Sequence, residues 1–197
     1  AGETPERARQ VQIIEKNGKR FGFLAASRVI PEGSWNVDSS VPGMFCTYDD
    51  TALCQEIAEA KKQCDYVAVY VHWGIERDSM PQDYQKSMAH HYIEAGADAV
   101  IGSHTHCLQG MEFYQGKPIV YGMGNFIFNQ SISSTMVAQL TVNEQGDSCL
   151  RIFPAFDSNG CTQLMGEAER QQLYRYLEEI SFGVTIDENV YVTAQSL

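Results

Sequence analysis

Basic side chains are scarce in this sequence. Its 197 residues carry 14 Lys and Arg against 25 Asp and Glu, a formal net charge of −11. A surface of that sign repels phosphate-rich polymers unless a basic groove or a metal intervenes, which excludes nucleic acid as a partner. The same repulsion weighs against simple retention of any polyanion. The six cysteines, Cys46, Cys54, Cys64, Cys107, Cys149 and Cys161, form no CxxC pair. A chain of this length does not need disulfides, so reduced, partly buried thiols are expected. No apolar run approaches the ~18–20 residues of a membrane-spanning helix; the longest strand-like one is Tyr66 to Val71. No signal-peptide pattern opens the sequence, and a soluble fragment is expected. Internal repeats and low-complexity tracts are lacking too. What is present is apolar mass: 44% hydrophobic residues, with 10 Tyr and 9 Phe. That is enough for a real core, and it excludes disorder. The length fits one domain spanning 1–197, or two small lobes sharing a core.

The order of elements reads as α/β. Val11 to Ile14 and Phe21 to Ala25 are strands around Asn17-Gly18, a hairpin signal because both central residues of a type I′ turn need positive φ. The Pro-, Gly- and Ser-rich span 29–48 reads as a long loop. Asp49 or Asp50 caps a helix to about Lys62, with Leu53, Ile57 and Ala60 on one face. Tyr66 to Val71 is a buried strand, a helix runs from near Pro81 to before Gly96, and Asp98 to Ile101 is the next strand. Strand, helix, strand at this spacing is a βαβ unit, so these two strands should be parallel. Hairpins follow: Gly110 to Tyr114 with Pro118 to Tyr121, then Thr135 to Val142 with Cys149 to Phe156. Gly166 to Ile180 is an amphipathic helix carrying Leu173, Tyr176, Leu177 and Ile180, and a short strand ends the chain.

Three of the five histidines fall where chemistry is expected. His72 follows the strand Tyr66–Val71, and Gly102-Ser103-His104-Thr105-His106 follows the next strand of the βαβ unit. Ligands of open α/β sheets bind at the carboxyl ends of strands. Neutral imidazole is a frequent ligand for Zn and related metals. A bend is needed to bring both rings of His-x-His to one site, and Gly102 offers a pliable entry. The alternative is a set of loop histidines hydrogen-bonded to backbone. His90 and His91 are adjacent on a helix and read as a partly exposed helix face.

Four blocks then line up: His72-Trp73-Gly74-x-Glu76; Pro81-x-x-x-Gln85-x-x-x-Ala89; Ala95-Gly96-Ala97-Asp98-Ala99-Val100-Ile101-Gly102-x-His104-x-His106; and Gly116-Lys117-Pro118-Ile119-Val120-Tyr121-Gly122-Met123-Gly124-Asn125-Phe126-x-Phe128. In order and spacing they resemble consecutive motifs of the bacterial capsule-synthesis family of the CapA type, associated with poly-γ-glutamate. The opening, Ala1-Gly2-Glu3 through Glu6-x-Ala8, resembles the family segment that precedes them. The resemblance implies a fold like the calcineurin-like metallophosphoesterases, of which this chain would be the C-terminal half: one parallel βαβ unit plus antiparallel hairpins. It implies His72, His104 and His106 as catalytic ligands of a divalent metal, Zn, Mn or Fe, within a dinuclear site of the complete protein. Glu76 would orient a ligand or water from behind them, or stand as a solvated loop carboxylate. Trp73 walls the site or packs in the core. Asn125, between two glycines, lies at the site rim or in a strand-ending turn, and Phe126 and Phe128 build core.

The family's N-terminal set of Gly-Asp, Asn-x-Glu and Asn-Asn-His motifs does not occur here; Gly146-Asp147 stands alone between two strands. Without their bridging carboxylate, a pair of ions about 3.5–4 Å apart is not held, and robust hydrolysis by this portion alone is not expected. Uncovered strand edges should seek the remainder of the domain or a second copy. Two functions follow from the resemblance. One is a metal-dependent hydrolase or transferase of cell-envelope polymer biosynthesis, working outside the cytoplasm on a capsule polymer or its precursors. The other is a non-catalytic envelope component with a structural metal.

Overall fold

The computed structural model describes residues 1–38 and 40–195. They fall into two compact units, Ala1–Gly74 with Asp83–Gly102, and Ile75–Gln82 with the chain from Ser103 onward. The α/β expectation holds in a mixture of helices, parallel strands and antiparallel strands.

In the first unit Thr4 caps a short helix, α1 (Pro5–Arg9), that the residue pattern did not reveal. Strands β1 (Gln12–Lys16) and β2 (Lys19–Ser27) then form the expected hairpin. Asn17 and Gly18 both take positive φ, 52° and 72°, as a type I′ turn requires. The span 29–48 is irregular apart from a turn of 3₁₀ helix at Gly33–Trp35. It is pinned to the end of β2: Ser27 N–H donates to Phe45 O and Thr47 N–H to Ser27 O. Helix α2 (Thr51–Lys61) buries Leu53, Ile57 and Ala60 as expected. Of the two candidate caps, Asp49 is the one that bonds the helix start, its Oδ1 accepting from Thr51 N–H at 2.9 Å. The Asp50 carboxylate is held instead by His91 Nδ1.

Strand β3 (Tyr66–His72) lies parallel to β2 with Ser27 opposite His72. Val67, Val69 and Val71 fill one fully buried face, whereas Tyr70 on the other is 47% exposed. Helix α3 (Asp83–Glu94) starts two residues later than Pro81 and buries Met88, Ala89, Tyr92 and Ile93. Gly96 terminates it at φ +115°, a backbone state that a side chain resists. Strand β4 (Ala99–Ser103) follows, and the unit's strand order is β1-β2-β3-β4. Trp73 is fully buried and stacks on Tyr92, centroids 6.4 Å apart, so it packs the core.

One buried carboxylate ties this unit together. Asp98, 4% exposed, precedes β4. Its N–H donates to Val67 O at 2.7 Å, and its Oδ2 accepts from Val67 N–H at 2.9 Å and from Lys61 Nζ at 2.6 Å. The starts of β3 and β4 therefore meet, which makes the strands parallel, and the end of α2 is clamped to both.

The second unit is mostly antiparallel. Strands β5 (Met111–Tyr114) and β6 (Lys117–Val120) turn at Gln115-Gly116, both at positive φ. Strands β7 (Ile132–Val142) and β8 (Ser148–Ser158) form a long hairpin. Beyond β8 lie β9 (Cys161–Leu164) and β11 (Tyr191–Ala194), and β10 (Val184–Ile186) pairs with β11. The tail thus holds two strands rather than one, and β9 is additional. Helix α4 (Glu167–Ile180) buries Leu173, Tyr174, Leu177 and Ile180. Tyr176, expected on that face, is 38% exposed. Phe126, Ile127 and Phe128, expected in part as core, are exposed. Gly124 at φ +69° ends the extended run before them, so they do not continue a buried strand. All six cysteines are free thiols; Cys64 is buried and Cys149 and Cys161 are exposed.

Asp98→Ala should cost about 2–3 kcal/mol, because it strips a buried backbone N–H and an ammonium of one acceptor. Lys61→Met should cost less, about 1–2 kcal/mol, because Asp98, its side chain 5% exposed, loses its cation but keeps the bond from Val67 N–H, and Lys61 itself is 37% exposed. Urea denaturation of both variants checks the ranking. Equal losses would show that the ion pair, not the bond to Val67, carries the effect.

Candidate metal centre

Two stretches of the second unit build this site. Ile75–Gln82 has no regular secondary structure, yet it is firmly held. Arg77 N–H donates to Thr105 O at 2.7 Å, and Asp78 N–H to Ile75 O at 3.2 Å. The fully buried Gln109 donates through Nε2 to Asp78 O at 2.9 Å. The Asp78 carboxylate accepts from Met80 N–H and Gln82 Nε2. These bonds hold Glu76 beside the segment that carries His104 and His106.

That segment bends at the histidines themselves. His104 and His106 take φ +100° and +58°, and Arg77 facing them takes +63°. Gly102, the expected source of the bend, lies within β4. Positive φ is uncommon for residues with a side chain, and strained backbone persists only where its surroundings over-determine it. Between the two histidines the buried Thr105 donates its hydroxyl to Cys107 O at 2.9 Å. Gly122 packs against it so closely that a Cβ there would lie 2.8 Å from Thr105 Oγ1. A glycine is required at that point, which explains the first glycine of Gly122-Met-Gly124.

The outcome is a convergence of ligand atoms. One ring nitrogen of His104, one of His106 and a carboxylate oxygen of Glu76 lie within 4.8 Å of one another. The imidazoles sit 6.1 Å apart, tilted by 55°. His106 Nδ1 is 2.8 Å from Asn125 Oδ1. A carbonyl oxygen only accepts, so Nδ1 carries the proton and Nε2 keeps its lone pair. That Nε2 faces Glu76 Oε1 at 4.0 Å. Asn125 thereby does what a residue behind a metal ligand does: it fixes tautomer and ring orientation. Burial holds the His104 pKa below the usual imidazole value; Glu76 pulls it up, and His106 pushes it further down. His104 is therefore ready to offer a neutral nitrogen.

His72 belongs to the first unit. As the last residue of β3 it places Nδ1 3.1 Å from Ser27 Oγ. Ser27 gives its one hydroxyl proton to Val29 O at 2.5 Å, so His72 Nδ1 must be the donor and Nε2 again keeps its lone pair.

Two imidazoles and a carboxylate form a donor set that suits a divalent first-row metal such as zinc, manganese or iron. The Glu76 side chain is 62% exposed and that of His106 38%, so the cluster opens to solvent. It lies against a cavity of about 420 Å³, lined also by Arg77, Asn125, Phe128 and the serine-rich stretch 130–134. The Phe128 ring rests against His106, centroids 5.5 Å apart. Glu76 enters the cluster as a candidate ligand in its own right, whereas the sequence reading gave it only a supporting place. Arg77 was not singled out at all; no motif marks it.

The family described as bacterial capsule synthesis protein PGA_cap matches residues 1–130. The PGA biosynthesis protein CapA of Bacillus subtilis (strain 168) is 35% identical over 127 residues, covering 64% of this chain and 33% of that protein. The capsule biosynthesis protein CapA of Bacillus anthracis is 29% identical over 185 residues, covering 90% of this chain and 44% of that protein. The chain thus spans between a third and a half of the length of these relatives. Among solved structures, a hypothetical protein from Thermus thermophilus aligns with 79% of this chain and 62% of its own, at TM-score 0.48 and 18% identity.

The charge arrangement around His104 has a sign that titration can read. Burial lowers its pKa and Glu76 opposes that effect, so Glu76→Gln should lower it further. The proton that folding disfavours is bound by the unfolded chain first. This residue's contribution to stability is therefore complete above the ordinary value of about 6.5 and is lost as pH falls through the lower folded value. NMR titration of the imidazole in metal-free protein gives both values. A His104 pKa that rises in Glu76→Gln would contradict the arrangement described.

Proposed function

The chain belongs to the bacterial capsule synthesis protein family, and from that premise we propose that it serves cell-envelope biosynthesis of a poly-γ-glutamate-type capsule, with His104, His106 and Glu76 as ligands of a divalent metal. The observation that carries the metal assignment is the convergence of three ligand atoms within 4.8 Å on backbone held at positive φ. The names of the Bacillus relatives support the capsule assignment. From the family resemblance we assign the complete protein to the extracytoplasmic side of the cell envelope.

A metal bound there acts as a Lewis acid and lowers the pKa of a bound water. The residues of the chain supply the rest. Asn125 holds His106 in the tautomer whose Nε2 is free. Burial lowers the His104 pKa and so favours the neutral imidazole that a metal needs. The exposed edge of the cluster supports a reactive centre, because structural metal sites are closed whereas catalytic ones keep a position open. Metallophosphoesterase-like hydrolysis or transfer is the corresponding reaction class. A second metal would need further carboxylate ligands, as the family resemblance implies for the complete protein.

Metal content measured by mass spectrometry after incubation with zinc, manganese or iron(II) tests this reading. We expect near-stoichiometric metal in the unmodified chain and at least a tenfold loss of affinity, on the order of 1.4 kcal/mol, in each of His104→Ala, His106→Ala and Glu76→Ala. His72→Ala, measured alongside, tells whether that residue contributes. No retained metal, or equal content in all variants, would sink the assignment. Metal-dependent stability without turnover of a phosphodiester would point to the scaffold role instead.

A further inference from the structure

Beside the ligand cluster stands a cation that the metal centre does not use. Arg77 lines the 420 Å³ cavity together with Glu76, His106, Asn125 and the hydroxyl-bearing Ser133 and Ser134. Among the described residues no carboxylate pairs with it, although the chain carries a net charge of −11. Its two acidic neighbours are engaged elsewhere. Glu76 turns Oε1 toward His106 Nε2, and both oxygens of Asp78 accept hydrogen bonds, from Met80 N–H and Gln82 Nε2. The backbone of Arg77 is fixed at φ +63° by its N–H bond to Thr105 O. A residue with a side chain takes that conformation at a cost. Arg77 thus lines a cavity that also holds hydroxyl and amide side chains, exposed to solvent and carried on a rigid, unfavourable backbone.

We infer that Arg77 is the anion-reading residue of this cavity, pairing with an oxyanion of the substrate, carboxylate or phosphoryl, while the adjacent cluster engages the reacting group. The assignment of that oxyanion to a substrate rests on the proposed function; anion binding by Arg77 does not. A guanidinium matches both oxyanions through two parallel N–H···O bonds, which a lysine ammonium does not reproduce. Ser133 and Ser134 contribute O–H donors across the cavity. They also line a second cavity of about 410 Å³, beside Met165, Gln172 and Tyr176.

The test is an NMR titration of the metal-free chain with inorganic phosphate and, separately, with glutarate, followed through the backbone amides of residues 76–78 and 131–134. At least one anion is expected to saturate. Its affinity should fall about tenfold or more in Arg77→Gln, as for the loss of a charge-assisted pair, and less in Arg77→Lys. Dependence on Arg77 for phosphate alone identifies a phosphoryl ligand, for glutarate alone a carboxylate ligand, and for both a general oxyanion site. Each of these supports the inference. Absence of saturable binding by the unmodified chain, or equal affinity in Arg77→Gln with an unchanged circular dichroism spectrum, overturns it. Metal content separates this from the reading above. Arg77→Gln should keep its metal, whereas a chain that binds anion through Arg77 but holds no metal would leave the anion site standing and remove the metal centre.

Discussion

The site hangs on one backbone hydrogen bond, from Arg77 N–H to Thr105 O. It joins a loop without regular structure to a two-histidine segment, and everything that converges there depends on the two staying in register. By itself such a bond is worth only about 1 kcal/mol net. It is effective here because other contacts leave the chain few alternatives. Gln109, buried without exposure, holds the next carbonyl of the loop. Thr105 is locked by its bond to Cys107 O and by the close passage of Gly122. The strain of three left-handed side-chain-bearing residues, on the order of 1 kcal/mol each, is balanced by these bonds. This is the pattern of a preorganised site: geometry is fixed during folding, so little ordering remains to be done when a ligand arrives.

How far the sequence disclosed this architecture depended on how local the governing physics was. Asn17-Gly18 is legible as a turn because positive φ at both positions is a property of the dipeptide. Asn159-Gly160 carries the same signal, at φ 55° and 73°, and marks the hairpin to β9; that strand was legible and was passed over. Helix α2 was placed by its apolar spacing, and the βαβ unit by its length. Phe126 and Phe128 defeated the pattern, since period-two alternation does not reveal that Gly124 has already turned the chain. Tyr174 and Tyr176 lie two positions apart on α4, and tertiary neighbours, not periodicity, decide which of them is buried.

The site divides along the same line. His104 and His106 were found because a His-x-His segment after a strand is a local signature. Glu76 was noticed only as a supporter. Its approach to the pair comes from hydrogen bonds between segments some thirty residues apart, which sequence spacing does not encode. Asn125 was placed at the rim through its flanking glycines, and its bond to His106 gives that placement a function. The bend in the histidine segment was attributed to Gly102. The chain instead places the left-handed conformations on the histidines, a residue type that tolerates that region better than most. Arg77 left no trace in the sequence reading, because an unpaired arginine is recognised only once its potential partners are seen bonded elsewhere.

The acidity of the chain bears on what such a site can do. A net charge of −11 argues against a surface that retains a polyanion along its length. It does not argue against a single point where the sign is reversed. Long-range repulsion between exposed charges fades over roughly 8 Å at physiological ionic strength, whereas a guanidinium in a cavity meets its partner at hydrogen-bonding distance. The divalent ion proposed above, held by two imidazoles and one carboxylate, would leave that cluster with a residual positive charge. Added to Arg77, it would turn the mouth of the cavity cationic on a chain whose net charge is −11. Such a surface admits an anionic chain at one group and repels the remainder. Under the proposed function, that combination would suit a centre that meets a polymer end or a small precursor better than one that grips a polymer along its whole contour.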